Sequence, residues 1–280
     1  MLEFRPVEVS AAALERYRAL FAACFPGAAG KFTPAYLAWL YADNPDGHAL
    51  GYDAWDGDTL AAHYVCIPAL AHIEGEEVKV LLSLNTATHP NYQGKGLFTK
   101  LAAMTYEAGA AAGFDGVYGV ANANSTPGFV RKLGFQLVRP LEARVGVGRI
   151  RPVAQNSSLS FQRCWSAASL AWRCSSPGHP VRVRSNGQQL QLDAAALGAA
   201  RAVDALALNL PTQDHAAAWA PLNLYLGLRP DGDALPFTYV NIPQRLRPSP
   251  LNLIYRSLSG RVAQLDPSRI HFSFLDFDAY

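Results

Sequence analysis

The sequence predicts a mixed α/β (α+β) fold, with a central mixed sheet flanked by helices and a C-terminal α+β half. Three observations predict it. Half of the 280 residues are hydrophobic and 16% are charged, a globular composition with enough apolar side chains for a sizeable core. Apolar residues recur at helical spacing in some stretches and fill short strand-like runs in others. These stretches alternate through residues 1–150, and after a polar connector, "RPVAQNSSLS", residues 151–280 form a second, smaller set.

The elements follow in order. "EFRPVEV" is a short strand, and residues 11–24, "AAALERYRALFAAC", carry apolar positions at helical spacing. "TPAYLAWLYADNP" is a second helix with Thr33 as N-cap and Pro34 at its first position. Three strands come next, "LGYDAWDG", "TLAAHYVCIPALAHI" and "EVKVLLSLNTATH", the last two joined by a turn at "EGEE". A helix spans about Leu97–Ala112, with Leu97, Leu101, Met104, Ala108 and Ala111 along one stripe. "DGVYGVAN" is a strand, "TPGFVRKLGF" a short helix ending at Gly134, and "QLVRPLEARVGVG" one or two strands. In the second half, helices are expected near Phe161–Trp172 and Ala194–Leu208. Strands are expected at "LNLYLGL", "FTYVNIP", "LNLIYRSL" and "IHFSFLDFDAY".

Several function classes are disfavoured. The formal charge is +2 and no basic block stands out, so a nucleic-acid surface is not expected. "MLEFRPVEVS" lacks the order of a signal peptide, and no apolar run has the length of a membrane helix; the expected location is cytoplasmic, with no membrane partner. Cys24, Cys66, Cys164 and Cys174 lie far apart without a Cys-x-x-Cys pair, which argues against a finger-type zinc site. No metal is expected.

The chemistry is carried by "HPNYQGKGLFTK", a glycine-rich turn between an apolar strand and a helix. The first N–H groups of a helix have no partner within it, and the helix dipole makes that end positive, so an anion binds there if side chains leave room. Gly94 and Gly96 supply that room, and Lys95 and Lys100 add positive charge. The P-loop pattern fails because His89 stands where its first glycine belongs, and a dinucleotide fingerprint fails at Arg151. No nucleophile elbow is present.

What remains resembles the GNAT superfamily of N-acetyltransferases, whose acyl-CoA signature is Q/R-x-x-G-x-G/A. Gln93, Gly94, Lys95, Gly96, Leu97 and Phe98 match it, with Phe98 standing where the family has a small residue. "NTATHPNY" before it and "NANSTPGFVRKLGF" after it extend the resemblance over about residues 3–148. The resemblance implies that N–H groups from Gly94 to Thr99 hold the pyrophosphate of acetyl-CoA or another acyl-CoA. It also implies that the thioester arm lies beside Asn85, Thr86, Ala87 and Thr88, in a splay between two strands. Asn122 and Asn124 bracket the next loop and read either as acceptor or cofactor contacts or as the residues that make its turn.

Direct attack of an amine on the thioester needs a base and tolerates a thiolate leaving group. The base is open. Glu76 and Glu77 come too early for the strand carboxylate common in this family. Asn85 and His63 are candidates, as is the C-terminal segment through Asp276, Asp278 or the Tyr280 carboxylate. The family's acid position holds Val130, leaving Tyr118 as a substitute. By the two-residue strand period, Ser83 and Asn85 face the cleft. By the same resemblance, the segment with Trp39, Tyr41, Asn44 and Asp46 roofs the acceptor site. Its aromatics and amides suit an amino sugar or nucleotide-linked amino sugar as the small-molecule acceptor. Two other readings stay open: an aminoacyl or peptide-type transferase on the same fold, and a non-catalytic acyl-CoA-binding module. A homodimer is among the expected assemblies.

Overall fold

The computed structural model describes residues 1–154, 158–185, 187–196, 198–208, 220–247 and 249–278. The chain begins with β1 (Leu2–Pro6), α1 (Ala11–Cys24) and α2 (Pro34–Tyr41). Ser10 caps α1 by accepting from the Ala13 N–H, and Thr33 caps α2 by accepting from the Tyr36 N–H, as its sequence predicts. A meander follows of β2 (Leu50–Asp56), β3 (Thr59–Ile73) and β4 (Glu76–Thr88). The two-residue turn between β3 and β4 has Glu74 at φ 51° and Gly75 at φ 84°, the doubly positive backbone that matches strand twist. Then come α3 (Leu97–Ala111), β5 (Gly116–Ala121), α4 (Thr126–Leu133), β6 (Gln136–Pro140) and β7 (Glu142–Gly146). Gly134 ends α4 at φ 69°, donating its N–H to Phe129 O.

Beyond residue 150 the chain adds β8 (Phe161–Arg163), α5 (Ala167–Cys174), β9 (Arg182–Ser185), β10 (Leu190–Ala195), β11 (Ala200–Leu206) and β12 (Leu222–Leu228). It closes with β13 (Val240–Asn241), β14 (Asn252–Ser257) and β15 (Ile270–Ser273). The main strand path is β6-β14-β5-β4-β3-β8-β15-β12-β11-β10-β9. Most neighbours are antiparallel, but β4 and β5 are parallel. Strand β14 enters between β5 and β6, so a late segment completes the sheet of the first half. Strand β3 changes partner along one edge, pairing β2 up to Cys66 and β8 from Ala71. Pro68, with no N–H to give, sits in that gap.

One sheet face packs on α1 and α2 through Tyr17, Phe21, Leu37, Val65, Ile67 and Leu82. The other packs on α3 and α4 through Tyr64, Leu81, Leu97, Leu101, Val117 and Phe129. Gly109 lets α3 approach β4 closely, since a Cβ there would meet Leu81 Cδ1 at 2.8 Å.

Four expectations for the second half need correction. The stretch expected as a helix at Ala194–Leu208 is the β10–β11 hairpin, with Gly198 at φ 64° in the turn. Alanine favours helix on its own. Here pairing to β9 and β12 and the burial of Leu190, Leu192 and Ala194 on one face override that preference. The helix expected at Phe161–Trp172 begins later: β8 takes Phe161–Arg163 to pair with β3, and α5 starts after a Ser166–Ser169 capping box. In "FTYVNIP" only Val240–Asn241 is strand. Strand β15 stops at Ser273, and residues 274–278 turn back on themselves; Tyr280 lies outside the described residues. Among the described residues no helix is long and apolar enough to cross a membrane.

Candidate active site

Parallel pairing of β4 with β5 runs from Val80↔Gly116 to Ser83↔Gly119 and stops there. Beyond it β4 bulges. His63 of β3 pairs with Ala87 and Val65 with Leu84, so Asn85 and Thr86 together stand opposite Tyr64. Asn85 takes φ 47°, a conformation that asparagine tolerates better than most residues. The bulge turns β4 away from β5 and opens a cavity of about 400 Å³. Its walls are Ser83, Leu84, Asn85 and Thr86 on one side and Gly119, Val120, Asn122, Asn124 and Ser125 on the other. A second cavity of about 180 Å³ shares Ser83, Leu84, Asn85 and Val120 with the first, and adds Leu82, Phe277 and Asp278. The expected alternation of faces fails at the bulge, because Leu84 and Asn85 both line the cavities.

The glycine turn lies where β4 ends. Gly94 has φ 77° and Gly96 φ 74°, and a Cβ on either would meet no protein atom within 4 Å. Gly96 is the N-cap of α3, and the first intrahelical bond is Lys100 N–H to Gly96 O at 3.1 Å. The N–H groups of Leu97, Phe98 and Thr99 therefore have no acceptor within the helix. Phe98 does not crowd this end. Its ring packs edge-on to Tyr64 and Phe129 and over Gly128, where a Cβ would sit 3.2 Å from it. Lys95 Nζ lies over the Tyr92 ring at 4.6 Å and Lys100 Nζ over Phe4 at 3.9 Å. Gln93 is exposed, with Nε2 3.5 Å from Thr88 O. Ala87 is buried against β3.

A hydrogen-bond chain runs from the cavity wall into the core. Asn85 Nδ2 donates to Tyr41 Oη at 3.2 Å, and Tyr41 Oη lies 3.1 Å from His63 Nε2. His63 Nδ1 lies 2.6 Å from Asp53 Oδ1. Tyr17 Oη donates to the other Asp53 oxygen at 2.8 Å and accepts from the Glu8 N–H. One proton arrangement satisfies every member: Tyr41 O–H donates to Nε2, and Nδ1–H donates to Asp53. Burial pushes the Tyr41 phenol well above its ordinary value, so it stays neutral and keeps its proton for the imidazole. His63 is 0% exposed, with its ring tilted against Tyr17 at 4.3 Å. As a candidate base it has no direct access to either cavity and is joined to the cleft through Tyr41 and Asn85.

Other expected site residues are placed elsewhere. Tyr118 is fully buried on the α1–α2 face, where its hydroxyl donates to Asp276 O at 2.9 Å and accepts from Arg163; as an acid facing the sulfur it is misassigned. Asp276 is also buried, its Oδ2 accepting from the Ser273 N–H at 2.7 Å. Burial raises its carboxyl to about 7. Trp39 lines neither cavity. It stacks on Trp172 of α5 at 4.8 Å, and each indole N–H donates to the other residue's carbonyl at 2.9 Å. Tyr41 belongs to the core chain, Asn44 donates to Pro68 O, and Asp46 pairs with Arg163 at 3.0 Å. Ser83 borders both cavities with its hydroxyl 2.7 Å from Tyr64 Oη. Asn122 folds its own turn, its Oδ1 accepting from the Asn124 and Ser125 N–H groups.

Two features were not singled out from the sequence. Asp53 faces His63 only because β3 carries an extra residue between Leu60 and Ala62. Arg173, on α5, donates to the carbonyls of Phe274, Leu275 and Phe277. That clamp holds the C-terminal turn against the sheet and sets Asp278 at the smaller cavity, where it pairs with Lys31 at 2.8 Å. No local signal in the sequence marks either pairing.

Residues 5–138 match the family model described as an acetyltransferase (GNAT) domain. No curated protein matches the sequence. Similar solved structures include a probable N-acyltransferase, a conserved protein of unknown function, from Enterococcus faecalis V583, with TM-score 0.64, 10% identity, and 92% of this chain and 73% of that chain covered. Another is a GCN5-related N-acetyltransferase from Anabaena variabilis, with TM-score 0.63, 11% identity, and coverage of 91% and 73%. Eis1 from Mycobacterium abscessus is a third, with TM-score 0.60, 13% identity, and coverage of 92% and 74%. The chain therefore shares its fold with these structures over nearly its whole length.

Proposed function

We propose that this chain is an acyl-CoA-dependent N-acyltransferase that moves an acyl group onto a small amine by direct attack. The observation that carries the proposal is the opening between β4 and β5 beyond Ser83 and Gly119, with the bulge on one wall. The glycine turn and the free N–H groups of Leu97, Phe98 and Thr99 suit a pyrophosphate, and the positive φ of Gly94 and Gly96 keeps side chains away from it. The match of residues 5–138 to an acetyltransferase domain supports the same donor. When bound, the donor supplies a thioester carbon open to attack and a thiolate that leaves without needing a strong acid.

The chain's own residues then divide the work. The larger cavity takes the acyl arm between Thr86 and Val120. The smaller takes the amine against Leu82, Ser83 and Phe277. Asp278, partly exposed at its wall and paired with Lys31, draws the ammonium form in and accepts the proton that attack requires. Asn85 borders both cavities, and Tyr41 holds its amide in one orientation. The acceptor class these walls support is a compact primary amine with an apolar flank. An amino sugar is one member to test, although Trp39 and Tyr41 are engaged elsewhere.

Release of free thiol from acetyl-CoA with a panel of small amines tests the reading. Asp278→Asn is expected to lower turnover by roughly 10²-fold with coenzyme A affinity unchanged. Binding of coenzyme A without thiol release for any amine would leave a non-catalytic acyl-CoA-binding module.

A further inference from the structure

A second cluster of reactive side chains lies at the opposite end of the sheet. His72 is near the end of β3 that is distant from His63, about 30 Å along the strand at the usual rise per residue. Glu77 is its direct cross-strand partner on β4. Cys164 follows β8, and its N–H donates to Leu70 O at 2.9 Å. The register of three neighbouring strands thus gathers an imidazole, a carboxylate and a thiol whose ligating atoms all lie within 4.8 Å of one another. Nearby acids are already matched with cations: Glu76 pairs with Arg261, and Glu74 with Arg269 at 2.8 Å. Among the described residues Glu77 and His72 have no ion pair or side-chain hydrogen bond of this kind. Arg163 and Asp46, the other charges acting on Cys164, pair with each other at 3.0 Å.

We propose that His72, Glu77 and Cys164 form a binding site for a divalent transition-metal ion of the zinc class. They supply one nitrogen, one oxygen and one sulfur donor, and a fourth position is left to water. A thiolate with an imidazole selects zinc or cobalt over magnesium or calcium, which take oxygen donors. On binding, the S–H bond of Cys164 breaks, the metal–sulfur bond forms and the proton passes to solvent. Bound there, the ion ties together β3, β4 and the end of β8. The site shares no residue with the acyl-transfer cleft, so it stands or falls separately.

The full chain, freed of metal, is titrated with Co²⁺ and then Zn²⁺. One equivalent of Co²⁺ is expected to give a thiolate-to-metal charge-transfer band in the near ultraviolet, and Zn²⁺ to displace it. Cys164→Ser is expected to abolish the band. His72→Ala and Glu77→Gln, at positions that are not fully buried, are expected to weaken Zn²⁺ binding roughly tenfold or more. Cys174→Ser is expected to leave binding unchanged. Metal-free thermal unfolding of each variant separates a lost ligand from a lost fold. Absence of the band in the wild-type chain would overturn the proposal, as would Zn²⁺ binding that survives all three ligand substitutions unaltered.

Discussion

Replacing Tyr41 by Phe removes one oxygen and keeps the ring that packs beside His63 and Tyr17. Two hydrogen bonds disappear, at 3.2 Å to Asn85 and 3.1 Å to His63. Asn85 is partly exposed and can turn to water. His63 is 0% exposed, so its Nε2 loses the one donor it has among the described residues. An unpaired buried group costs about 1–3 kcal/mol, and in a chain of this size each kcal/mol lowers the unfolding midpoint by about 2–4 °C. Asn85 also loses the anchor that helps hold its backbone at φ 47°. Its amide is then free to swing at the wall of both cavities, and turnover is expected to fall about tenfold, equivalent to about 1.4 kcal/mol of barrier. The assays are thermal unfolding and steady-state thiol release, with KM for acyl-CoA unchanged because the glycine turn is untouched. A destabilised Tyr41→Phe variant with wild-type turnover would refute the link between the buried chain and the cleft. An unchanged midpoint would refute the hydrogen bonds themselves.

Three further predictions test neighbouring parts of the account. Gly96→Trp is expected to abolish coenzyme A binding, measured calorimetrically, at a stability cost of about 1–2 kcal/mol from the positive φ; retained affinity would remove the turn from the site. Trp39→Ala deletes the stack and the paired bonds to Trp172. It is expected to destabilise by about 3–5 kcal/mol without changing acceptor KM, and a selective rise in that KM would restore Trp39 to the acceptor site. Asp276 has a folded value near 7 against an unfolded value of about 3.9. The folded chain holds this proton more tightly, so the contribution is full below about pH 4 and declines as pH rises through about 7. Asp276→Asn, which stays neutral, is therefore expected to gain in unfolding midpoint over the wild type between pH 5 and pH 8. Parallel midpoints across that range would show that the folded chain holds no extra proton on Asp276, and would refute its raised carboxyl.

The first half of the fold was legible because its signals are local. Thr33 and Gly134 cap helices, and the "EGEE" turn joins two strands, each by a rule that needs few neighbours. The glycine turn was legible for the same reason. The β10–β11 hairpin was not, since its alanines become strand only through pairing with β9 and β12. The site was harder still. An uninterrupted hairpin after Asp56↔Thr59 would put Asp53 opposite Ala62, and one extra residue in β3 shifts it to His63. The bulge at Asn85 breaks the alternation by which side chains are assigned to faces. Tyr118 and Trp39 are chemically suitable for catalysis and recognition, but they were claimed by packing that no spacing rule reveals. Asp278 reaches the cleft through carbonyls clamped by Arg173, a contact between segments far apart in sequence.

The most direct test of the central claim is thermal unfolding with and without saturating coenzyme A, acetyl-CoA and a longer acyl-CoA. At a hundred times its dissociation constant a ligand stabilises by about 2.7 kcal/mol, enough to move the midpoint by several degrees. The account predicts a clear rise with coenzyme A and acetyl-CoA in the wild-type chain and none in Gly96→Trp. No rise with any of the three would contradict it.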